Sequence, residues 1–170
     1  PSLPLAVPAP VAEGVPADGY PWAWSIYEWL DGEIAMSKRV ADLRIAASDL
    51  AAFVSALQRI DPTGGPPPSR HNAFRGVPLA TRDESTRASI AALGSTIDAA
   101  AATATWETAL GAPVWEGPPV WIHGDLDARN VLAKDGRISA VIDWGCLGVG
   151  DPACDVAVAW KMLDSGSRDV

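Results

Sequence analysis

"HGDLDARN", at residues 123–130, gathers one histidine, two aspartates, an arginine and an asparagine within eight positions. The apolar run VWI at 120–122 precedes it, which places these polar groups at the end of a short buried strand. The next segment, VLAKDGRISAVIDW at 131–144, has two apolar runs around Asp135-Gly136, a dipeptide typical of a tight turn between strands. The sequence therefore predicts a loop and a β-hairpin that hold several polar side chains near one another.

Three side chains of this segment form a candidate site. Asp125 follows the strand, Asn130 lies five residues later across a short loop, and Asp143 ends the second strand of the hairpin. A hairpin that folds back beside the loop would bring all three together. Carboxylate and amide oxygens are hard ligands that suit Mg²⁺, and Mg²⁺ pairs with phosphate. A carboxylate that is not bound to the metal could act as a base toward a hydroxyl.

The order of these blocks resembles that of the aminoglycoside phosphotransferases and the choline-kinase-like small-molecule kinases, which share a protein-kinase-like fold. HGDLDARN is similar to their catalytic loop, and DWG at 143–145 stands where protein kinases carry D-F-G. GVGDPACDVA at 148–157 is similar to the segment that follows in this family. Upstream, GYPWAWSIYEWLDGE at 19–33 resembles the hinge between the two lobes.

The resemblance implies a role for each matching position. Asp125 would accept the proton of a substrate hydroxyl, and Asn130 and Asp143 would hold Mg²⁺ ions at the phosphates of ATP or GTP. At the hinge, backbone groups would contact the base of the nucleotide, and the residues concerned are Glu28, Trp29 and Leu30.

Three further residues are candidate supporting groups. Asp155 resembles the aspartate that braces the catalytic loop in this family, and a solvated helix aspartate is the alternative. We expect His123 to pack and to bond the loop backbone rather than to act as a base. Arg129 could supply positive charge near the phosphates, because Asp127 stands where close relatives often carry a basic residue. A surface ion pair is the alternative role for Arg129.

Residues 1–36 are predicted to be extended. Six prolines within residues 1–21 exclude a helix and a central strand there, so we expect an edge segment with a turn near ADGY at 17–20. The aromatic and β-branched run WAWSIYEWL at 22–30 predicts a strand. Its tryptophans are expected to lie in the core.

Helices are predicted in three later segments. Apolar residues at helical spacing from Leu50 to Ile60 predict one helix, with Ser48 or Asp49 as its cap. Residues 83–110 predict one long helix or two, broken near Gly94. Residues 150–163 predict a helix that Asp151 caps, with Pro152 in its first turn. Its apolar face would include Val156, Trp160 and Leu163.

The expected fold class is α+β, a partial protein-kinase-like fold with a hinge and a mostly helical C-terminal lobe that carries a catalytic β-hairpin. Residues 1–36 would be a remnant of the N-terminal lobe and the hinge, and residues 37–170 an incomplete C-terminal lobe. The sequence contains no G-x-G-x-x-G phosphate loop. We therefore expect a chain truncated at both ends relative to such kinases, with impaired activity by itself.

Composition limits the classes of partner. The net charge of −8, from 21 acidic and 13 basic residues, argues against a general nucleic-acid binder. No apolar run approaches the roughly 20 residues that span a membrane, so no membrane partner is expected. Two cysteines without a C-x-x-C spacing argue against a zinc site or a disulfide framework, and they favour a cytoplasmic location.

The function predicted from these features is that of an ATP- or GTP- and Mg²⁺-dependent phosphotransferase. It would act on a hydroxyl of a small molecule, either an aminoglycoside-like antibiotic or a metabolite. One alternative is a non-catalytic binding module that forms a homodimer through surfaces exposed by truncation. Another is a metal-dependent phosphoesterase that uses Asp125, Asp127 and Asp143.

Overall fold

The computed structural model describes residues 2–35 and 40–169, so the predicted domain boundary between residues 36 and 37 lies outside the described residues. The fold combines helices and short antiparallel strands, which confirms the α+β class. The strands are β1 (Pro10–Gly14), β2 (Trp24–Tyr27), β3 (Glu33–Ile34), β4 (Val120–Ile122), β5 (Val131–Lys134), β6 (Arg137–Val141) and β7 (Gly148–Gly150). The α-helices are α1 (Leu43–Gln58), α2 (Asp83–Leu93), α3 (Ala99–Leu110), α4 (Ala153–Val156), α5 (Val158–Met162) and α6 (Ser165–Arg168).

The predicted hairpin is confirmed as strands β5 and β6. Val131 pairs with Val141 and Lys134 pairs with Arg137, and β3 adds a third antiparallel strand on the other side of β5. Asp135 and Gly136 form the turn with φ values of 52° and 77°. Strands β4 and β7 form a separate antiparallel pair, and β1 and β2 form another. The hairpin thus begins immediately after the HGDLDARN loop.

Helix α1 packs against β4 and β6 and contributes one face to the core. Its predicted apolar face is confirmed, because Leu50, Phe53 and Leu57 are all buried, at 2%, 0% and 3% exposure. The predicted cap was wrong. Helix α1 begins at Leu43, and the side chain of Asp42 accepts hydrogen bonds from the backbone N–H groups of residues 44 and 45. The first turn escaped the periodicity argument because its residues are largely exposed.

Residues 83–110 form two helices, as predicted. A 3-10 turn at Gly94–Thr96 separates α2 from α3. None of the helices in the described parts of the chain is both long and apolar enough to cross a lipid bilayer.

The apolar face predicted for residues 150–163 was wrong for Val156 and Trp160, whereas Leu163 packs against the core as predicted. Val156 and Trp160 are 46% and 69% exposed, whereas Val158 and Met162 are buried. The helix is interrupted at Ala157, between α4 and α5. The predicted bond of Asp151 is present, since its Oδ1 accepts from the backbone N–H of residue 153 at 2.8 Å.

The segment before β3 is extended, as predicted. Ala6 lies parallel to β6, where its N–H donates to Ser139 O at 3.1 Å and its carbonyl accepts from Val141 N at 2.9 Å. The expected turn lies between Ala17 and Tyr20, which exchange both backbone hydrogen bonds.

The core position predicted for the tryptophans was wrong. Trp22, Trp24 and Trp29 are 67%, 42% and 90% exposed. Strands β1 and β2 form a two-stranded sheet that pairs with no other described strand. The three tryptophans of this segment therefore do not form part of the core.

Candidate active site

A buried carboxylate braces the HGDLDARN loop. Asp155, at the start of α4, is fully buried, and its two oxygens accept from His123 N at 2.6 Å and Gly124 N at 2.9 Å. Burial raises the pKa of Asp155, while the two backbone N–H donors act in the opposite direction. Asp155 is therefore not a solvated helix aspartate, which was the alternative role for this residue. Asp155 joins the end of β4 to the helical segment after β7.

His123 connects the loop to the end of β6. Its side chain is buried, its Nε2 lies 3.0 Å from Ile142 O, and its Nδ1 accepts from Asp125 N at 3.3 Å. The proton therefore belongs on Nε2, which donates to the carbonyl oxygen. The ring also makes an edge contact with Trp144, with 4.8 Å between centroids. Both ring nitrogens are thus occupied by the backbone, which is the arrangement expected for a packing residue.

The side chain of Asn130 holds Asp125. Its Nδ2 donates to the backbone oxygen of Asp125 at 2.8 Å and to Oδ2 of the same residue at 3.4 Å. The side chain of Asp125 is 31% exposed, whereas Asn130 is buried. The Asp125 carboxylate is therefore held by Asn130 and remains partly accessible to solvent. Such a group can receive a proton from a bound hydroxyl.

Asp143 is brought to the same place by the hairpin. Ile142, the residue before Asp143, donates its N–H to Asn130 O at 2.9 Å. This backbone hydrogen bond joins the start of the Asp143 segment to Asn130. Asp143 is exposed and has left-handed backbone angles, φ 62° and ψ 67°. These angles are uncommon for a residue other than glycine and are frequent at functional sites.

The donor groups at this point fit a hard divalent cation. One carboxylate and one amide oxygen are available from Asp143 and Asn130. Within residues 2–35 and 40–169, no group of three or more His, Cys, Asp or Glu side chains is arranged to hold a metal ion. Mg²⁺ is commonly bound by one or two protein oxygens, with phosphates and waters completing its octahedron. The sparse donor set is therefore consistent with Mg²⁺ that arrives with a phosphate-bearing ligand.

Arg129 and Asp127 are paired with each other. The carboxylate of Asp127 accepts from the backbone N–H of Arg129 at 2.7 Å and from its guanidinium at 2.6 Å. Asp127 is buried, and Arg129 has a side chain that is 77% exposed. Arg129 therefore forms an ion pair, which was the alternative role for this residue. It also removes Asp127 from the three-carboxylate arrangement that the phosphoesterase alternative requires.

Replacement of Asp127 by asparagine is expected to lower stability at neutral pH and to have less effect in acid. Hydrogen bonds from Arg129 hold the pKa of Asp127 below its usual value of about 3.9. A carboxyl group whose pKa falls on folding stabilises the fold above its unfolded pKa, and this contribution is lost as the pH falls through the folded pKa. Urea unfolding of both proteins between neutral pH and pH ~3 would measure this. A difference in stability that grows toward acid pH would contradict it.

Gly124 has a structural reason to be glycine where protein kinases carry arginine. Its φ is +82°, and a Cβ atom there would lie 2.4 Å from the carbonyl oxygen of Cys146. A side chain at this position would push the catalytic loop away from the segment that carries Asp143.

Gly124→Ala is therefore expected to cost more than a left-handed backbone alone, which accounts for about 1–2 kcal/mol. Gly64→Ala is the matched control, because Gly64 has a φ of +80° with no atom within 4 Å of its Cβ position. Denaturant unfolding of the two variants compares them. Equal losses of stability would show that the loop accommodates the clash.

The hinge residues lie on a different part of the chain. The N–H of Glu28 donates to Ala9 O at 2.8 Å, Trp29 is 90% exposed, and Leu30 is partly buried. No contact described in the structure joins these three residues to the catalytic loop. The following residue, Asp31, reaches the hairpin through an ion pair with Lys134 at 3.5 Å.

Sequence reasoning missed Arg75. Its Nη2 lies 3.4 Å from Oδ1 of Asp125, although 50 positions separate the two residues. No motif surrounds Arg75, and a single arginine in a loop carries no periodic signal. Only the path of the chain brings it to the site.

Comparisons with known proteins agree with the fold. The model of the family described as "Phosphotransferase enzyme family" (APH) matches residues 1–169. The chain is 52% identical to viomycin phosphotransferase of Streptomyces vinaceus over 40 residues. This match covers 21% of this chain and 14% of that protein.

Solved structures similar to this chain share its fold. The GDP and kanamycin complex of APH(2")-IIia has a TM-score of 0.68 at 20% identity, over 98% of this chain and 59% of that one. The macrolide 2'-phosphotransferase MphH of Brachybacterium faecium has a TM-score of 0.60 at 25% identity, over 98% of this chain and 56% of that one. The chain thus spans somewhat more than half the length of these neighbours. With the family matched along almost the entire sequence, this chain belongs to the phosphotransferase enzyme family.

Proposed function

We propose that this chain carries the acceptor and metal side of an ATP- or GTP- and Mg²⁺-dependent phosphotransferase that modifies a hydroxyl of a small-molecule antibiotic. The observation that carries the proposal is the grouping of Asp125, Asn130 and Asp143 around the backbone hydrogen bonds of Ile142. Family membership supports the reaction class. The reaction would take place in the cytoplasm, where nucleoside triphosphates are supplied.

The Asp125 carboxylate would receive the proton of the substrate hydroxyl. As it does so, a bond forms between the hydroxyl oxygen and the γ-phosphorus, and the bond from that phosphorus to the bridging oxygen breaks. The nucleoside diphosphate leaves with the electron pair of that bond. Asn130 keeps the carboxylate in place through its Nδ2, which limits the orientations that Asp125 can adopt.

Asn130 and Asp143 would hold Mg²⁺ through their side-chain oxygens. Bound there together with the phosphates, Mg²⁺ would supply neutralisation of the charge that develops on the transferred group. The amide of Asn130 can serve both purposes, because its nitrogen donates to Asp125 and its oxygen accepts no hydrogen bond from the described residues.

The acceptor class follows from the similar proteins and from charge. The similar proteins include complexes with kanamycin and with streptomycin, a viomycin phosphotransferase and a macrolide phosphotransferase. Aminoglycosides are cationic, and the net charge of −8 on this chain favours their approach. The similar structures include complexes with ATP and with GDP, so both ATP and GTP are candidate donors.

The proposal is tested with radiolabelled ATP and GTP against kanamycin, streptomycin, viomycin and a macrolide, each with Mg²⁺ or with EDTA. We expect slow transfer to at least one acceptor that EDTA abolishes. Turnover should be low because the chain spans only 59% of the length of a similar phosphotransferase structure. Release of phosphate from a simple phosphate ester with Mg²⁺ and no nucleotide would favour the phosphoesterase alternative instead.

Association of two copies is a second prediction for this chain. The exposed aromatic side chains of the β1–β2 segment provide apolar surface, with Trp29 at 90% and Trp22 at 67% exposure. Light scattering should show a dimer in equilibrium with monomer, and Trp29→Ser should shift it toward monomer. A monomer at all concentrations would contradict this prediction.

A further inference from the structure

Arg75 reaches the candidate base from a distant loop. The loop lies between the 3-10 turn at Arg70–Asn72 and the turn that precedes α2. The guanidinium Nη2 of Arg75 lies 3.4 Å from Asp125 Oδ1, and the two side chains are 44% and 31% exposed. Asp125 is thus held by Asn130 on one oxygen and approached by Arg75 on the other.

The backbone before Arg75 is strained. Ala73 and Phe74 both have left-handed conformations, with φ values of 52° and 57°. Each such residue costs about 1–3 kcal/mol and persists only where its surroundings fix it. Here Arg82 fixes them, because its Nη2 donates to the carbonyl oxygens of Ala73 and Phe74.

The residue after Arg75 is fixed as well. Gly76 has a φ of +80°, and a Cβ atom there would lie 2.8 Å from the side chain of Ile122 and 3.0 Å from Gly150 Cα. Its carbonyl oxygen accepts from Asp151 N at 3.0 Å. The loop is therefore packed against β4 and β7, which flank the catalytic loop and the Asp143 segment in sequence. The position of Arg75 is set by the same elements that build the candidate site.

The Arg75–Asp125 ion pair alone does not account for the strain in this loop. An exposed ion pair such as Arg75–Asp125 contributes about 0–1 kcal/mol, which is less than the cost of two left-handed residues. Only one hydrogen bond from the Arg75 side chain to the described residues is present, so other N–H groups of the guanidinium remain available. A guanidinium that is fixed beside a base and still has free donors is suited to bind an oxyanion.

We propose that Arg75 is a phosphoryl-binding residue of the acceptor site: its guanidinium holds the Asp125 carboxylate and donates to the phosphoryl oxygens during transfer. The inference rests on the proposed function, because the hydroxyl that Asp125 deprotonates must attack a phosphorus atom next to it. Arg75 forms no covalent bond and accepts no proton in this step. It stabilises negative charge on the oxygens of the phosphoryl group. The other arginine of the site, Arg129, has its guanidinium engaged by Asp127.

The first test measures binding of inorganic phosphate in the presence of Mg²⁺, by phosphorus NMR titration. The proteins compared are the unchanged chain, Arg75→Ala, Arg75→Lys and Arg70→Ala. Arg70 is the matched control, because it is an exposed arginine in the preceding 3-10 turn with no side-chain hydrogen bond or ion pair to the described residues. We expect Arg75→Ala to weaken phosphate binding about tenfold and Arg70→Ala to leave it unchanged. Equal affinities for the two alanine variants, or no phosphate binding by the unchanged chain, would overturn the proposal.

The second test measures phosphotransfer with the acceptor found above. Arg75→Ala should lower kcat about 100-fold with little change in acceptor KM. The kcat of Arg75→Lys should lie between those of the unchanged chain and Arg75→Ala, because lysine keeps the positive charge but lacks the planar guanidinium with its paired N–H donors. Guanidinium ion in solution should restore part of the activity of Arg75→Ala, and urea should not. A kcat equal to that of the unchanged chain would overturn the proposal.

The two tests separate the inference from the proposed function. Failure of every acceptor and donor pair would count against the proposed function, while the phosphate titration would still report on Arg75. Thermal unfolding of each variant shows whether the loop remains folded. Arg75→Ala and Arg75→Lys could both lose phosphate binding and both lose their fold. That result would assign a structural role to Arg75 and would also overturn the proposal.

Discussion

Replacement of Asp125 by asparagine is expected to lower the rate of phosphotransfer by about 10²–10⁴-fold, because an amide cannot accept the proton of the substrate hydroxyl. Asparagine has nearly the same shape, so Asn130 and Arg75 keep neighbours of similar size. Affinity for the nucleotide with Mg²⁺ should change little, since Asn130 and Asp143 are intact. Single-turnover kinetics with labelled nucleotide measure the rate, and calorimetric titration measures the affinity.

Asp127→Asn provides the matched control for this experiment. It makes the same chemical change two residues away, at a carboxylate that is engaged by Arg129. At neutral pH it should retain most of the transfer rate of the unchanged chain. If the two variants lost equal activity, Asp125 would have no special role as the base.

Removal of the Asp155 carboxylate is expected to have the largest effect on stability. Asp155→Ala leaves the backbone N–H groups of His123 and Gly124 without acceptors in a buried place. Each such group costs about 1–3 kcal/mol, so the free energy of unfolding should fall by about 2–5 kcal/mol. Asp155→Asn should cost less, because the amide oxygen still accepts one of the two hydrogen bonds. Urea unfolding followed by circular dichroism measures both losses.

Asp151→Ala is the control for the Asp155 variants. It removes an exposed carboxylate near the start of α4 that accepts one backbone hydrogen bond, from residue 153. Loss of such a cap costs about 1 kcal/mol. If Asp155→Ala were no more destabilising than Asp151→Ala, the buried carboxylate would not brace the catalytic loop.

The parts of the fold that the sequence predicted well depend on local patterns. The hairpin follows from two apolar runs around Asp135-Gly136, and the face of α1 follows from its helical periodicity. The grouping of Asp125, Asn130 and Asp143 was also predictable, because a hairpin that begins right after a loop must return its far end to that loop.

The parts that the sequence did not predict depend on long-range contacts. Val156 and Trp160 lie at helical spacing, and so do Val158 and Met162, so periodicity alone does not tell which pair is buried. The tryptophans of the β1–β2 segment have strand-like neighbours, and local composition does not show whether another element packs on them. Arg75 reaches Asp125 through two left-handed residues that no propensity scale would predict.

Ile142 has a consequence for how activity could be controlled. Its N–H and its carbonyl are both engaged, by Asn130 and by His123, and the next ring along the chain, Trp144, packs on His123. To swing Asp143 away from the loop, the chain would have to break both hydrogen bonds, at about 1 kcal/mol each, and separate the two rings. Any control that acts by moving Asp143 would have to supply the free energy of these contacts.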